Sequence, residues 1–258
     1  MKALLLIFTL FALCFGEIKI ASFNVANLFD EKQDGSEYSD FKKGGKKNWT
    51  KEKYEKKIKG VSDDIKSIDA DVILLLEVEN ARVLKRLADI CGYEYLLFTK
   101  GNNEAPVGLG YLSKRKILSS KEFLVRGVKT RPVLQISINE GSKTLNLFGA
   151  HFPAMKNDLS KRESAANTMI KAVNGVKNAI ILGDLNSKYG DGFLLNSLND
   201  DFISIWEYKK SWNSYKGKKG GKIDHIMISK DLAGQVKPKF WVHDNVKSSD
   251  HNALSVSF

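Results

Sequence analysis

The run Val72-Ile73-Leu74-Leu75-Leu76 carries no polar side chain until it meets Glu77. It is too short for a core helix, and its lack of polar alternation marks a strand that needs cover on both faces. Ala179-Ile180-Ile181-Leu182 repeats the pattern late in the chain. Such strands belong inside layered folds, with an apolar layer on each side.

The covering layers are legible too. Tyr54, Ile58, Val61, Ile65 and Ile68 recur at helical spacing after Thr50, a residue suited to an N-cap, and Lys51, Lys53, Lys56, Lys57 and Lys59 fill the other face. A second helix is expected over 80–90, stopping at Gly92. A third carries Ala165, Ala166, Met169, Ile170, Val173 and Val176, with Ser160 and Glu163 as its expected capping box. Strands are expected over 18–25, 71–76, 93–98, 107–113, 116–125, 132–139, 144–150, 179–182, 223–228, 236–242 and 253–258. Asn102-Asn103 and Glu140-Gly141-Ser142 are expected turns, and 27–48 reads as a long polar loop. Helices fall between strand clusters in both halves and no linker divides them. The expectation is one α/β domain over 17–258, in which two mixed sheets face each other under helices.

Residues 1–16 read as a signal peptide: Lys2, an apolar run from Ala3 to Phe15, then Gly16. Export to the periplasm or the medium follows as an expectation, with no stable membrane insertion, because no other segment approaches a bilayer span. Of the two cysteines, Cys14 leaves with that peptide and Cys91 is left alone among apolar helix positions, so it reads as core filler and forms neither an internal disulfide nor a metal cluster. The net charge is +11, and only Lys2 of it lies in the first 16 residues. A basic exported chain suits a polyanionic partner: nucleic acid, anionic lipid or wall polymer.

Polar residues with catalytic potential gather where apolar strands end. Asn24 ends the first strand and Glu77 the second. His151 follows Leu147-Phe148-Gly149-Ala150, Asp184 and Asn186 follow Ile180-Ile181-Leu182-Gly183, Asp224 follows Ile223, and Asp250-His251 precedes the last strand. In α/β sheets, one rim of strand ends is where sites are assembled. No Ser or Cys nucleophile motif accompanies them, which favours direct attack by water. His225, next to Asp224 on an expected strand, should face the other way and read as structural; His243 has no motif around it.

The ordered set Ser22-Phe23-Asn24-Val25, Leu75-Leu76-Glu77-Val78, Gly149-Ala150-His151-Phe152-Pro153, Leu182-Gly183-Asp184-Leu185-Asn186, Ile223-Asp224-His225-Ile226 and Ser249-Asp250-His251 resembles the endonuclease/exonuclease/phosphatase superfamily, which contains deoxyribonuclease I. Ser22 to Asp30 is similar to its exported bacterial nucleases. The resemblance implies a four-layer α/β sandwich and a secreted endonuclease that hydrolyses DNA, and RNA as an option, with little sequence specificity. It implies a Mg²⁺ cofactor, with Mn²⁺ or Ca²⁺ as alternatives. Glu77 would be the main metal ligand, aided by Asn24 and Asp250. Asp184 and Asn186 would orient water and phosphate oxygens. His251, held by Asp224, would contact the scissile phosphate, and His151 would assist the leaving oxygen. Two departures stand out: Leu76 where the family usually has glutamine, and Ala26 where some repair-type members carry a metal-binding aspartate. The second points away from a dedicated abasic-site enzyme.

Lys216, Lys218, Lys219 and Lys222, in a glycine-containing stretch after Trp212 and Tyr215, are expected to hold flanking phosphates without reading bases; Arg162 and Arg131 are further candidates. Lys42, Lys43, Lys46 and Lys47 form a second concentration. The expected partner is nucleic acid, mainly DNA, acted on by a monomer. Two other readings compete. A phospholipid phosphodiesterase or phosphatase of the same superfamily, sphingomyelinase-like, should present an exposed apolar hairpin, and none is seen between the lysine-rich loops. An idle polyanion-binding protein should have lost catalytic positions, and the main ones are present.

Overall fold

The computed structural model describes residues 17–101, 105–190, 195–218 and 220–258. The signal peptide expected over 1–16, the turn at Asn102-Asn103 and Lys219 lie outside the described residues. Among the described residues no helix is long and apolar enough to cross a membrane.

The first half runs β1 (Lys19–Leu28), α1 (Lys51–Ile68), β2 (Val72–Val78), α2 (Ala81–Cys91), β3 (Tyr95–Thr99) and β4 (Gly108–Ser113). The second runs β5 (Ile117–Phe123), β6 (Val133–Glu140), β7 (Lys143–His151), α3 (Leu159–Val173) and β8 (Ala179–Asp184). It continues through α4 (Asn196–Asn199), β9 (Phe202–Ser204), α5 (Ile205–Tyr208), β10 (Asp224–Ser229), α6 (Lys230–Ala233), β11 (Lys239–His243) and β12 (Ala253–Ser257).

These strands make two six-stranded sheets, ordered β11-β12-β1-β2-β4-β3 and β5-β6-β7-β8-β10-β9. Each is mixed around one parallel pair with a helical crossover, β1-α1-β2 in one and β7-α3-β8 in the other; the remaining pairs are antiparallel. The two sheets face each other across a core that joins Ile20, Leu74 and Leu76 to Leu147, Ile180 and Leu182. The apolar faces of α1 and α2 pack on the outside of the first sheet, and Ala165, Ala166 and Met169 of α3 on the outside of the second. That is the four-layer sandwich, with two facing mixed sheets flanked by helices. Polar–apolar alternation is absent from Val72 to Leu76 because one face of β2 meets the helices and the other meets the second sheet.

Two local expectations are corrected. Ser160 and Glu163 do not cap α3: the helix starts at Leu159, its N-cap is Asp158, and Ser160 is already inside. A capping box does form on α5, where Ser204 and Glu207 exchange bonds. The stretch 27–48 is less polar in space than in sequence, because Phe29 and Phe41 are buried with Val107 and Trp49 in a small core of their own. Cys91 is partly buried beside Ser62 O, 3.7 Å away, and burial pushes its thiol up.

Candidate active site

The site is built at strand ends, where the backbone leaves regular geometry. The β1–β2 register shifts between Asn24 and Leu28, and the β2–β4 register shifts between Leu76 and Val78. Ala26, Asn27 and Glu77 accordingly take φ of 53°, 57° and 64°. A non-glycine residue there costs about 1–2 kcal/mol, so something must hold it. Side chains do: Asn24 Oδ1 accepts from Ala26 N (3.0 Å), and Glu77 Oε2 accepts from Asn27 N (2.9 Å). The result turns Glu77 out of an otherwise fully buried strand, with its Oε1 accepting from Asn24 Nδ2 at 3.1 Å.

The second sheet supplies the rest. In the ladder, His151 pairs with Asp184 and Asp184 with Asp224, so β7, β8 and β10 end side by side. Asp184 Oδ1 accepts from Asn186 N (2.9 Å), and Asp184 Oδ2 lies 3.3 Å from Asn24 Nδ2, a buried bond that joins the two sheets. Asn186, at φ 46°, is fixed by its Nδ2 on Phe152 O (3.1 Å) and by Arg162 Nη2 on its own carbonyl (2.9 Å). Asp224 Oδ2 accepts from His251 Nδ1 at 2.8 Å, which leaves Nε2 for the cleft. Ser214 Oγ accepts from the Asp224 and Ile223 amides, and Tyr215 bridges to His251 with ring centroids 5.0 Å apart.

The segment that carries His251 is anchored from outside the site. Ser249 Oγ donates to Asn24 O (2.6 Å). Asp64, on α1 and buried, accepts from the amides of Lys247 and Ser248 at 2.8–3.1 Å. Asp64→Ala removes an acceptor shared by two amides and should cost about 1–3 kcal/mol; urea denaturation checks it.

The two histidines are held in opposite protonation states. Burial pulls His251 down, but the Asp224 charge and hydrogen bond, with Asp184 and Asp250, overcome it and raise the imidazole to about 9. Burial, then Arg131 and His251, hold His151 well below its ordinary value. His151 Nε2 sits 3.8 Å from Glu77 and 3.7 Å from Asp184, and its buried Nδ1 has no partner among the described residues. Burial first, then the Asp224 charge, pushes the Asp184 carboxyl well above the carboxylate range.

A cleft of about 550 Å³ is lined by Glu77, His151, Asp184, Asn186, Asp250 and His251, among others. Asn24 and Asp224 are buried directly behind it. The expected phosphate contacts are dispersed. Arg162 is spent on Asn186 O, and Arg131 Nε donates to Val107 O (3.1 Å), its charge still felt by His151. Lys216 Nζ donates to Val246 O (2.6 Å) and Ser249 O (3.2 Å), while Lys222 Nζ donates to Lys210 O (2.7 Å) beside the Trp206 ring. These two staple loops; Lys218 is exposed. Lys188 and Met155, which no local motif signals, line the cleft with Tyr215 instead. His225 points away, with Nε2 2.8 Å from Ser187 O, and His243 Nε2 lies 2.8 Å from Ser255 Oγ.

The donors suit a hard divalent cation, which takes oxygen ligands. Asp184, Asp224 and His251 bring one donor atom each within 4.8 Å of one another. Two of these groups are already joined, His251 Nδ1 donating to Asp224 Oδ2 at 2.8 Å. Glu77 lines the cleft with Asp250, so two carboxylates face it from the first sheet's side.

The sandwich recurs in solved structures. A humanized D. rerio TDP2 is 16% identical with a TM-score of 0.68, over 94% of this chain and 98% of that one. A protein of the endonuclease/exonuclease/phosphatase family from Leptotrichia buccalis is 19% identical with a TM-score of 0.66, over 93% and 98%. The human Nocturnin catalytic domain, with bound sulfate anion, is 16% identical with a TM-score of 0.62, over 93% of each chain. No curated protein sequence matches the chain. The model of the Endonuclease/Exonuclease/phosphatase family matches residues 21–251, nearly the whole described chain, and the chain belongs to that family.

Proposed function

We propose that the chain is an exported, divalent-metal-dependent phosphodiesterase that cuts nucleic acid, mainly DNA, by direct attack of water. One observation carries the reading: His251, bonded to Asp224 through Nδ1, and His151 face one cleft together with Glu77, Asp184 and Asn186. A phosphodiester is anionic, so its hydrolysis needs positive charge on the phosphoryl oxygens, a placed water and help for the leaving alkoxide. His251, protonated through neutral pH, supplies charge and a donor at Nε2. Its partner Asp224 fixes the ring through Nδ1. Asp184 and Asn186, tied to each other, orient water and phosphate oxygens. His151 arrives neutral and offers Nε2 to a proton or to the leaving oxygen. Glu77, Asp250 and Asn24 would hold Mg²⁺, or Mn²⁺ or Ca²⁺ in its place. The ion, when bound, supplies Lewis-acid charge at the phosphate.

The net charge of +11 suits a polyanion, and nucleic acid is favoured over lipid by the structural neighbour from D. rerio, TDP2 in complex with single-strand DNA product, which is 16% identical. Among the described residues, nothing at the cleft amounts to an apolar hairpin; Met155 is the one exposed large apolar side chain that lines it. The test is digestion of supercoiled plasmid by the purified chain. Nicking with Mg²⁺ should stop in chelator and return when Mg²⁺ is restored. Release of headgroup from sphingomyelin, with plasmid, linear DNA and RNA all intact, would replace this reading with the lipid one.

A further inference from the structure

A second cavity, which the proposed chemistry does not use, lies close to the cleft. It measures about 460 Å³ and is lined by Lys47, Lys53, Lys56, Lys57 and Lys247, with Trp49. Among the described residues, no carboxylate lines it, and none of the five lysines forms an ion pair; the nearby lysine that does, Lys59, belongs to another face of α1. Lys53 Nζ donates to Lys47 O (2.6 Å) and Lys57 Nζ to Ser248 O, so both have main-chain partners and neither sits in an ion pair. Five ammonium groups without an ion-pair partner around one cavity repel each other, and an anion seated there lowers that cost.

The chain is arranged to make this pocket. Lys53, Lys56, Lys57 and Gly60 share one face of α1, at spacings that stack along a helix. A glycine inside a helix costs about 1 kcal/mol, and here close approach explains it: a Cβ on Gly60 would stand 3.3 Å from Ser248 Cβ. The missing side chain lets α1 meet the segment that Asp64 anchors, and Lys247 is thereby carried to the lysines of the helix. Trp49 is fixed by its Nε1–H on Asp30 O (2.9 Å) and by packing against Phe41. Flat aromatic surface beside cations is the combination that holds single strands without base preference. Ser248 lines this cavity, and Asp250, two residues on, lines the catalytic cleft. The charges of Asp250 and Glu77 are felt at Lys57. One short segment therefore separates the two cavities.

We infer that the lysine cavity is a second phosphate site, which holds the backbone of the same nucleic-acid strand whose scissile phosphate occupies the catalytic cleft. The inference rests on the nuclease reading and adds to it a defined direction for the strand, along α1 and past Ser248. Spread cations over a cavity this size suit an extended polyanion better than one small ion.

The test is binding without cleavage: a fluorescein-labelled single-stranded oligonucleotide, titrated in chelator at several salt concentrations and followed by anisotropy. Lys53→Gln/Lys56→Gln/Lys247→Gln alters three exposed side chains, and its melting temperature reports folding. The variant should bind more weakly, with a slope of log K against log salt shallower by about 2, three contacts at roughly 0.7 each. Lys247→Gln alone, outside α1, should make the slope shallower by about 0.7, a third of that change. The tryptophan fluorescence change on binding should be lost in Trp49→Phe. Wild-type binding with unchanged affinity and slope in both lysine variants overturns the pocket and leaves the nuclease reading standing. No binding of nucleic acid by the wild type overturns both. Binding to phosphatidylglycerol vesicles that disappears in the triple variant, while oligonucleotide binding persists, assigns the lysines to a membrane and overturns the inference.

Discussion

Asp224→Asn should lower kcat for phosphodiester hydrolysis at neutral pH by about 10²–10⁴-fold, the range that a positioned acid or base contributes. The amide oxygen can still accept from Nδ1–H of His251, so the ring keeps its orientation. What it loses is charge. Burial, the largest influence on His251, then acts against a weaker opposition, and the imidazole falls from about 9 toward or below its ordinary 6.5. The wild type should lose imidazolium-dependent activity as pH rises through about 9; the variant should lose it at lower pH and be partly rescued by acid. A variant with unchanged pH dependence and reduced kcat would mean that Asp224 only shapes the loop. The same pair has a stability signature. His251 has a folded value above its unfolded one, so its contribution is fully present below about 6.5 and is lost as pH rises through about 9. In chelator, the melting temperature of the wild type should fall across that window, and that of Asp224→Asn should fall less.

The reach of the sequence is set by how local each cause is. Uniform apolarity marks β2 because both of its faces are covered, and the stripe from Tyr54 to Ile68 marks α1 because one face packs on the sheet. Alternation separates Asp224, which meets His251, from His225, which meets Ser187. Strand-end polar residues could be read because a strand's end is visible locally, and the ladder brings His151, Asp184 and Asp224 together. Asp64 could not be read this way. It lies on a helix rich in charged residues, and only contact with a segment 183 residues away makes it an anchor. Ser214 and Lys188 were hidden for the same reason. The left-handed backbone at Ala26, Asn27 and Glu77 carries no glycine to announce it, since side-chain hydrogen bonds hold it instead. The short β9 and α4 to α6 fall below the length at which periodicity has meaning, and Ser160 with Glu163 imitates a cap just inside the true helix start.

Gly183 ties fold and site together, and Gly183→Ala should be among the most damaging single changes in the molecule. Its φ is +132°, and an added Cβ would stand 1.9 Å from Ala150 O. That oxygen belongs to the backbone of β7, locked in the parallel ladder with β8, so no side-chain rotation relieves the clash. On its other side Gly183 pairs with His225 of β10, which blocks retreat in that direction. The strands must separate, at a cost of at least about 4 kcal/mol, against a total stability of roughly 5–15 kcal/mol for a protein of this kind. Asp184 is the next residue and His151 follows Ala150, so the same displacement parts the two groups proposed to act together. Chemical denaturation should show the loss of stability, and activity should fall even at temperatures where the variant remains folded. Val in place of Ala should be worse. A Gly183→Ala protein that melts within a degree or two of wild type would mean that β7 and β8 do not approach as closely as the ladder requires, and the placement of His151 beside Asp184 would fall with it.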